Sequence, residues 1–111
     1  MKVIDIVERF GLTVFSGHQG LQNEVTGGYV SDLLSDVMGF ATEGQVWITL
    51  QTHQNVLAIA SLKDLAAVIL VKGFEPDPET LEHSNEEGIA VLGTTLATFE
   101  IAGKLYELMN D

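Results

Sequence analysis

The stretch VWITLQTHQNVLAIASLKDLAAVILV, residues 46–71, carries the pattern on which the fold turns. Val46-Trp47-Ile48-Thr49-Leu50 is a short run of β-branched and aromatic residues, the composition of a strand. Asn55–Lys63 follows with a helical pattern, and Ala67–Val71 is a second apolar run that ends at Lys72-Gly73. Both runs are apolar at consecutive rather than alternate positions. Strands buried on both faces belong to largely parallel sheets, whose crossover helices cover the two sides.

The same alternation extends in both directions. Asp77-Pro78-Glu79 supplies a cap residue, a proline for the first turn and an acid against the helix dipole, so a helix is expected from there to Gly88. Ile89–Leu92 reads as the next strand, and Thr94 or Thr95 as the cap of a last helix running to Met109. Towards the N-terminus, Val3, Ile6, Val7 and Phe10 recur at helical spacing before Gly11, which predicts a helix over 2–10. Thr13-Val14-Phe15 is a brief strand, Gly17–Gly20 a turn, and Leu21–Tyr29 a second extended piece. Val30, Leu33, Leu34 and Val37 then form a helical stripe that stops near Gly39, with Ser31 and Asp32 offered as its caps. The expected architecture is a single domain over 1–111: a three-layer α/β fold with a mostly parallel sheet of about four or five strands.

Composition bounds the function classes. At 111 residues the chain is long enough for one core and too short for two. Sixteen acids against five bases give a net charge of −11, a field that repels phosphate backbones and disfavours nucleic acid as a partner. No apolar run approaches the ~20 residues of a membrane helix. Met1-Lys2-Val3-Ile4-Asp5 lacks the basic head and apolar core of a signal peptide, so the chain reads as cytoplasmic. With no cysteine there is neither a disulfide framework nor thiolate chemistry.

Two helices are apolar almost all round. Residues 55–63 leave little polar face, and in the last helix Glu100, Lys104 and Glu107 form one narrow polar stripe. Such helices need cover on several sides, which points to a homodimer; the competing explanation is a thick three-layer core in a monomer.

Ligands of open parallel sheets bind beyond the carboxyl ends of the strands. Gln51, Thr52 and His53 follow the first strand of the opening stretch, Lys72 follows the second, and Thr95 follows the strand at 89–92. Helix N-termini at that rim would present free amides to an anion. The motif Asn23-Glu24-Val25-Thr26-Gly27-Gly28-Tyr29-Val30-Ser31-Asp32 adds two adjacent glycines, where backbone or ligand can approach without meeting a Cβ. If it faces the same rim, one ligand site gathers Thr26, Gly27, Gly28, Gln51, Thr52, His53, Lys72 and Thr95. The plainer account of these residues is ordinary caps and tight turns. Neither His18 nor His83 has a partner at metal-ligand spacing, so no metal or cofactor is expected. Phosphate-binding, dinucleotide, hydrolase-elbow and zinc-protease motifs are absent.

Glu24-Val25-Thr26-Gly27-Gly28 resembles the signature of the DRTGG domain, and the Trp47-Ile48-Thr49 strand, the Gln51-Thr52-His53 turn and the final apolar helix are similar to that family as well. The resemblance covers essentially the whole chain. It implies a fold like the N-terminal domains of HPr kinase/phosphorylase and of the Mur peptide ligases, with a regulatory or sensory role. Glu24 keeps the acid of the signature aspartate. Val25 replaces its arginine, which removes a donor that would serve an anion or a neighbouring subunit.

Three functions compete. The leading one is a non-catalytic regulatory homodimer that binds a nucleotide or phosphorylated metabolite at the rim. The second is an interaction subunit whose apolar helices dock a larger enzyme. The third is a small enzyme using His53 with Thr26 or Lys72, for which no acid/base spacing is visible.

Overall fold

The computed structural model describes residues 1–110. Five helices and five strands alternate along the chain: α1 (Val3–Phe10), β1 (Thr13–Ser16), β2 (Gly27–Val30), α2 (Leu34–Phe40), β3 (Gln45–Thr49), α3 (Asn55–Leu62), β4 (Ala67–Leu70), α4 (Pro78–Glu87), β5 (Ala90–Gly93) and α5 (Thr98–Met109). The strands form one sheet in the order β1-β5-β4-β3-β2. β2, β3, β4 and β5 are parallel, while β1 pairs antiparallel with β5. The expected α/β fold with a mostly parallel sheet is therefore present.

Side-chain alternation along the central strands builds two cores. Val46, Ile48, Ala67, Ile69, Ala90 and Leu92 point to one face and are covered by Val3 and Ile6 of α1 and by Ile101 and Leu105 of α5. Trp47, Val68, Leu70 and Val91 point to the other, under Val37 of α2 and Val56, Leu57 and Ala60 of α3. These are the outer layers of the three-layer fold. Trp47 is fully buried, and its indole N–H donates to the Ser31 carbonyl at 2.8 Å, so the ring's one polar atom is satisfied.

Local structure departs from the sequence expectations at four points. His18–Gln22 is a 3₁₀ turn, so the segment before β2 is not extended from Leu21. Its buried neighbour Ser16 donates to Ser84 Oγ at 2.9 Å, which ties the turn region to α4. Val30 ends β2 instead of starting a helix, because its register with Ile48 continues the sheet; α2 begins four residues later. Ser31 and Asp32 do not cap α2: Asp32 instead accepts from Thr49 Oγ1 and the Leu50 N–H, both at 2.9 Å. Finally, α5 starts at Thr98; Thr94 accepts the Leu96 N–H within its own turn.

The two apolar helices end differently. α3 is absorbed by the second core, with Val56, Leu57, Ile59 and Ala60 buried, so cover inside one chain accounts for most of its composition. α5 buries only Ile101 and Leu105 and leaves Phe99 and Tyr106 in solvent.

Candidate functional site

The glycine motif lies at the beginning of β2. Gly27 is level with Gln45, the first residue of β3, whereas Thr49 and Leu70 mark the carboxyl ends of the neighbouring strands. Thr26 and Gly27 therefore stand at the end of the sheet opposite to Gln51, Thr52, His53, Lys72 and Thr95. The single eight-residue rim does not form, because β2 is parallel to β3 and its motif precedes the strand.

At the carboxyl rim most polar groups are engaged in turns. Gln51 Nε2 donates to the Asp32 carbonyl at 2.8 Å. The Thr52 carbonyl accepts from Thr80 Oγ1 at 2.7 Å and from the Asp77 N–H. His53 is exposed, and its Nδ1 accepts the Asn55 N–H at 3.1 Å, capping the start of α3. Lys72 adopts a left-handed backbone (φ +60°) that lets its N–H reach the Leu96 carbonyl, while Thr95 is exposed. Gln51, His53 and the backbones of Thr52 and Lys72 thus hold the loops of this rim. The pairing of His53 with Thr26 is ruled out by their placement at opposite ends of the sheet.

The motif itself is built into two contacts. The Thr26 hydroxyl donates to the Glu43 carbonyl at 2.9 Å, and its N–H donates to the Gly44 carbonyl. Gly44 has φ +83°, and a Cβ there would stand 2.7 Å from the Thr26 side chain, so the two residues lock the start of β2 to the turn before β3. A Cβ on Gly28 would lie 3.0 Å from Leu105 Cδ2; the missing side chain is what lets α5 rest on the edge strand. A Cβ on Gly27 would meet only Gln45, at 3.9 Å. Gly27 thus leaves open space that the chain does not fill. Val25 is 6% exposed and packs into the first core, where an arginine would have had to bury its charge.

On the face that Gly28 and Val30 share lies a cleft of about 570 Å³ between β2 and α5, lined by Thr26, Gly27, Gly28, Val30, Gln45 and Ile48 on the sheet side and by Phe99, Ala102, Gly103, Leu105, Tyr106, Met109 and Asn110 on the helix side. Gly27 contributes backbone to it, its Cβ direction being that of Tyr29 and Trp47 on the other face. No acid or base is among these residues. Leu105 and Ile48 form an apolar floor, Ala102 and Gly103 keep the helix wall low, and the aromatic rings stand at the sides. Of the residues expected at a ligand site, the cleft brings together Thr26, Gly27 and Gly28. The α5 lining was missed because Phe99, Gly103 and Tyr106 have the spacing of a helix face, and the sequence does not show that this face looks onto the glycines.

A second cleft, of about 820 Å³, opens at the amino ends of the strands and carries Glu24, Glu43, Asp64 and Glu87. Among the described residues no group of three metal-ligating side chains is close enough to hold an ion. No helix among them is long and apolar enough to cross a membrane. One ionisable group near the motif is perturbed: burial, with the carboxylate of Asp36 accepting the phenol's hydrogen bond at 2.9 Å, raises Tyr29 above the ordinary tyrosine value.

The DRTGG domain family matches residues 5–108. Comparison with curated protein sequences finds no match. Among solved structures, the chain is similar to the CBS and DRTGG domains of the regulatory region of a Clostridium perfringens pyrophosphatase, complexed with its activator diadenosine tetraphosphate; the TM-score is 0.72 at 17% identity. The alignment covers 94% of this chain and 45% of that one, so this chain spans less than half of its neighbour's length. With the family matched from end to end of the sheet, the chain belongs to the DRTGG domain family.

Proposed function

We propose that this chain is a non-catalytic regulatory module that binds a small molecule, a nucleotide or another small metabolite, and works as a homodimer. The observation that carries the reading is the cleft between β2 and α5: it is of ligand size, its lining is uncharged, and Gly103 keeps the α5 wall open where a Cβ would meet nothing within 4 Å. The structural neighbour is a regulatory region with a nucleotide activator bound, which supports a nucleotide as the first class to test.

The charge of the chain limits how a nucleotide would bind. The uncharged cleft suits a base or another planar apolar group, whereas phosphates must stay in solvent, since Lys104 lies on the α1 side of α5 beside Arg9. Binding then rests on stacking and shape, not on an anion site.

The test is a thermal-shift titration with adenine nucleotides, including diadenosine tetraphosphate, on the wild type, Gly103→Leu and Lys72→Ala. A ligand at 100 times its dissociation constant adds about 2.7 kcal/mol. The expected result is a saturable shift in the wild type and in Lys72→Ala, lost in Gly103→Leu, which adds a side chain to the cleft wall where a Cβ meets nothing within 4 Å. A shift lost in Lys72→Ala instead moves the site to the carboxyl rim. A flat panel overturns the nucleotide reading.

An interaction subunit is the second reading. It is favoured by the exposure of Phe40 (72%), Leu62 (67%) and Leu33 (64%) outside the cleft.

A further inference from the structure

We propose that two copies of this chain pair through their β2 strands, antiparallel and edge to edge, joining two sheets into one across a twofold axis at Tyr29. The proposal rests on the homodimer reading above and names the surface that forms it.

β2 ends the sheet, since its one neighbour is β3. The Ser31 N–H donates to the Ile48 carbonyl, so by the two-residue alternation of a strand Tyr29 and Gly27 share that direction. Gly28 and Val30 then turn their N–H and C=O groups outward. Both residues are exposed, and neither amide has a partner outside the sheet.

Free edges are normally blunted by a charge, a proline or a bulge. The opposite edge, β1, follows that rule with an irregularity between Val14 and Ser16. β2 has none of the three: Thr26-Gly27-Gly28-Tyr29-Val30-Ser31 is uncharged in a chain with sixteen acids. The acids beside it are engaged within the chain, Asp32 with Thr49 and Leu50 and Asp36 with the Tyr29 hydroxyl. A surface kept neutral in so acidic a protein is one on which a second copy of that protein can sit without like-charge repulsion.

The edge is also complementary to itself. With the axis at Tyr29, Gly28 lies opposite the partner's Val30, and each such pair exchanges both main-chain hydrogen bonds. Directly opposite residues share a face, so the partner's Val30 side chain stands beside Gly28 on the α5 face and walls the cleft. The same symmetry sets the two α5 helices side by side, with Ala102 and Gly103 allowing close approach and Phe99 and Tyr106 flanking them. Phe99 is 90% exposed and Tyr106 72%. Covered aromatic rings contribute about 150–250 Å² each, so the four rings of a pair supply roughly 600–1,000 Å² towards the ~1,000 Å² of a specific interface.

Sedimentation of the full chain at micromolar concentration, combined with amide exchange, tests the pairing. The wild type is expected to be a dimer in which the Gly28 and Val30 amides become protected as concentration rises. Phe99→Glu/Tyr106→Glu and, separately, Val30→Pro should weaken self-association by about 30-fold or more with an unchanged far-UV spectrum, because these side chains are exposed and the Val30 N–H takes no part in the ladder to β3. Leu62→Glu, on exposed α3 surface, should leave the dimer intact. A dimer that survives the first two variants, or is lost in Leu62→Glu, overturns the edge pairing while leaving self-association standing. A monomeric wild type overturns both, and the nucleotide titration is judged by its own readout, a saturable shift of the wild type.

Discussion

Gly28 and Leu105 are held so close that a methyl group on the glycine would stand 3.0 Å from the leucine Cδ2. That contact seats α5 on the edge strand, and the neighbouring Gly27 has no counterpart to it. The two glycines of one motif therefore do different things: the second permits packing against α5, and the first, turned to the opposite face of the sheet, meets only the Gln45 side chain.

Substitution should separate the two. Gly28→Val overpacks against Leu105 and is expected to lower stability by about 1–3 kcal/mol. Gly27→Val meets only the Gln45 side chain and gains strand propensity, so it should be neutral or slightly stabilising. Urea denaturation of both variants measures the difference; equal losses would show that the first glycine also has a packing role.

Asp32 should matter to folding although it is exposed. Its carboxylate takes the Thr49 hydroxyl and the Leu50 N–H, and Thr49 is 1% exposed. Asp32→Ala leaves a buried hydroxyl without its acceptor, at a cost of about 1–3 kcal/mol; Asp32→Asn, which keeps an acceptor oxygen, should lose less. Chemical denaturation of the pair checks the order.

Tyr29 sets a pH dependence on the alkaline side. Its folded-state pKa lies above that of the unfolded chain, so the neutral phenol is favoured by folding. The corresponding stability is fully present below the unfolded value, about 10, and is lost as pH rises through the folded value. Tyr29→Phe removes this term, and its melting temperature should fall less between neutral pH and pH above 10 than that of the wild type.

His53 should prove structural. The variant His53→Ala loses the acceptor for the Asn55 N–H, a cap worth about 0.5–2 kcal/mol, and should leave any nucleotide-induced thermal shift unchanged. A lost shift at unchanged stability would return the ligand to the carboxyl rim.

The layered α/β architecture is legible in the residues alone, because runs such as Val46–Leu50 and Ala67–Val71 are apolar on both faces and only a covered, parallel sheet accommodates them. The family is legible in the same way, through a motif whose glycine and threonine positions are tied to local contacts. The residue pattern misplaced the start of two helices, at Val30 and Thr94, where strand pairing and a turn outweigh local propensity. Which end of the sheet carries Thr26-Gly27-Gly28, and what faces it, emerges only from the packed chain. Those depend on strand order and on where α5, some seventy residues later, comes to rest. The apolarity of α3 and α5 looks alike along the chain; three-dimensional packing buries one and leaves the other's aromatic rings in solvent, since only α3 lies beneath neighbours on both sides.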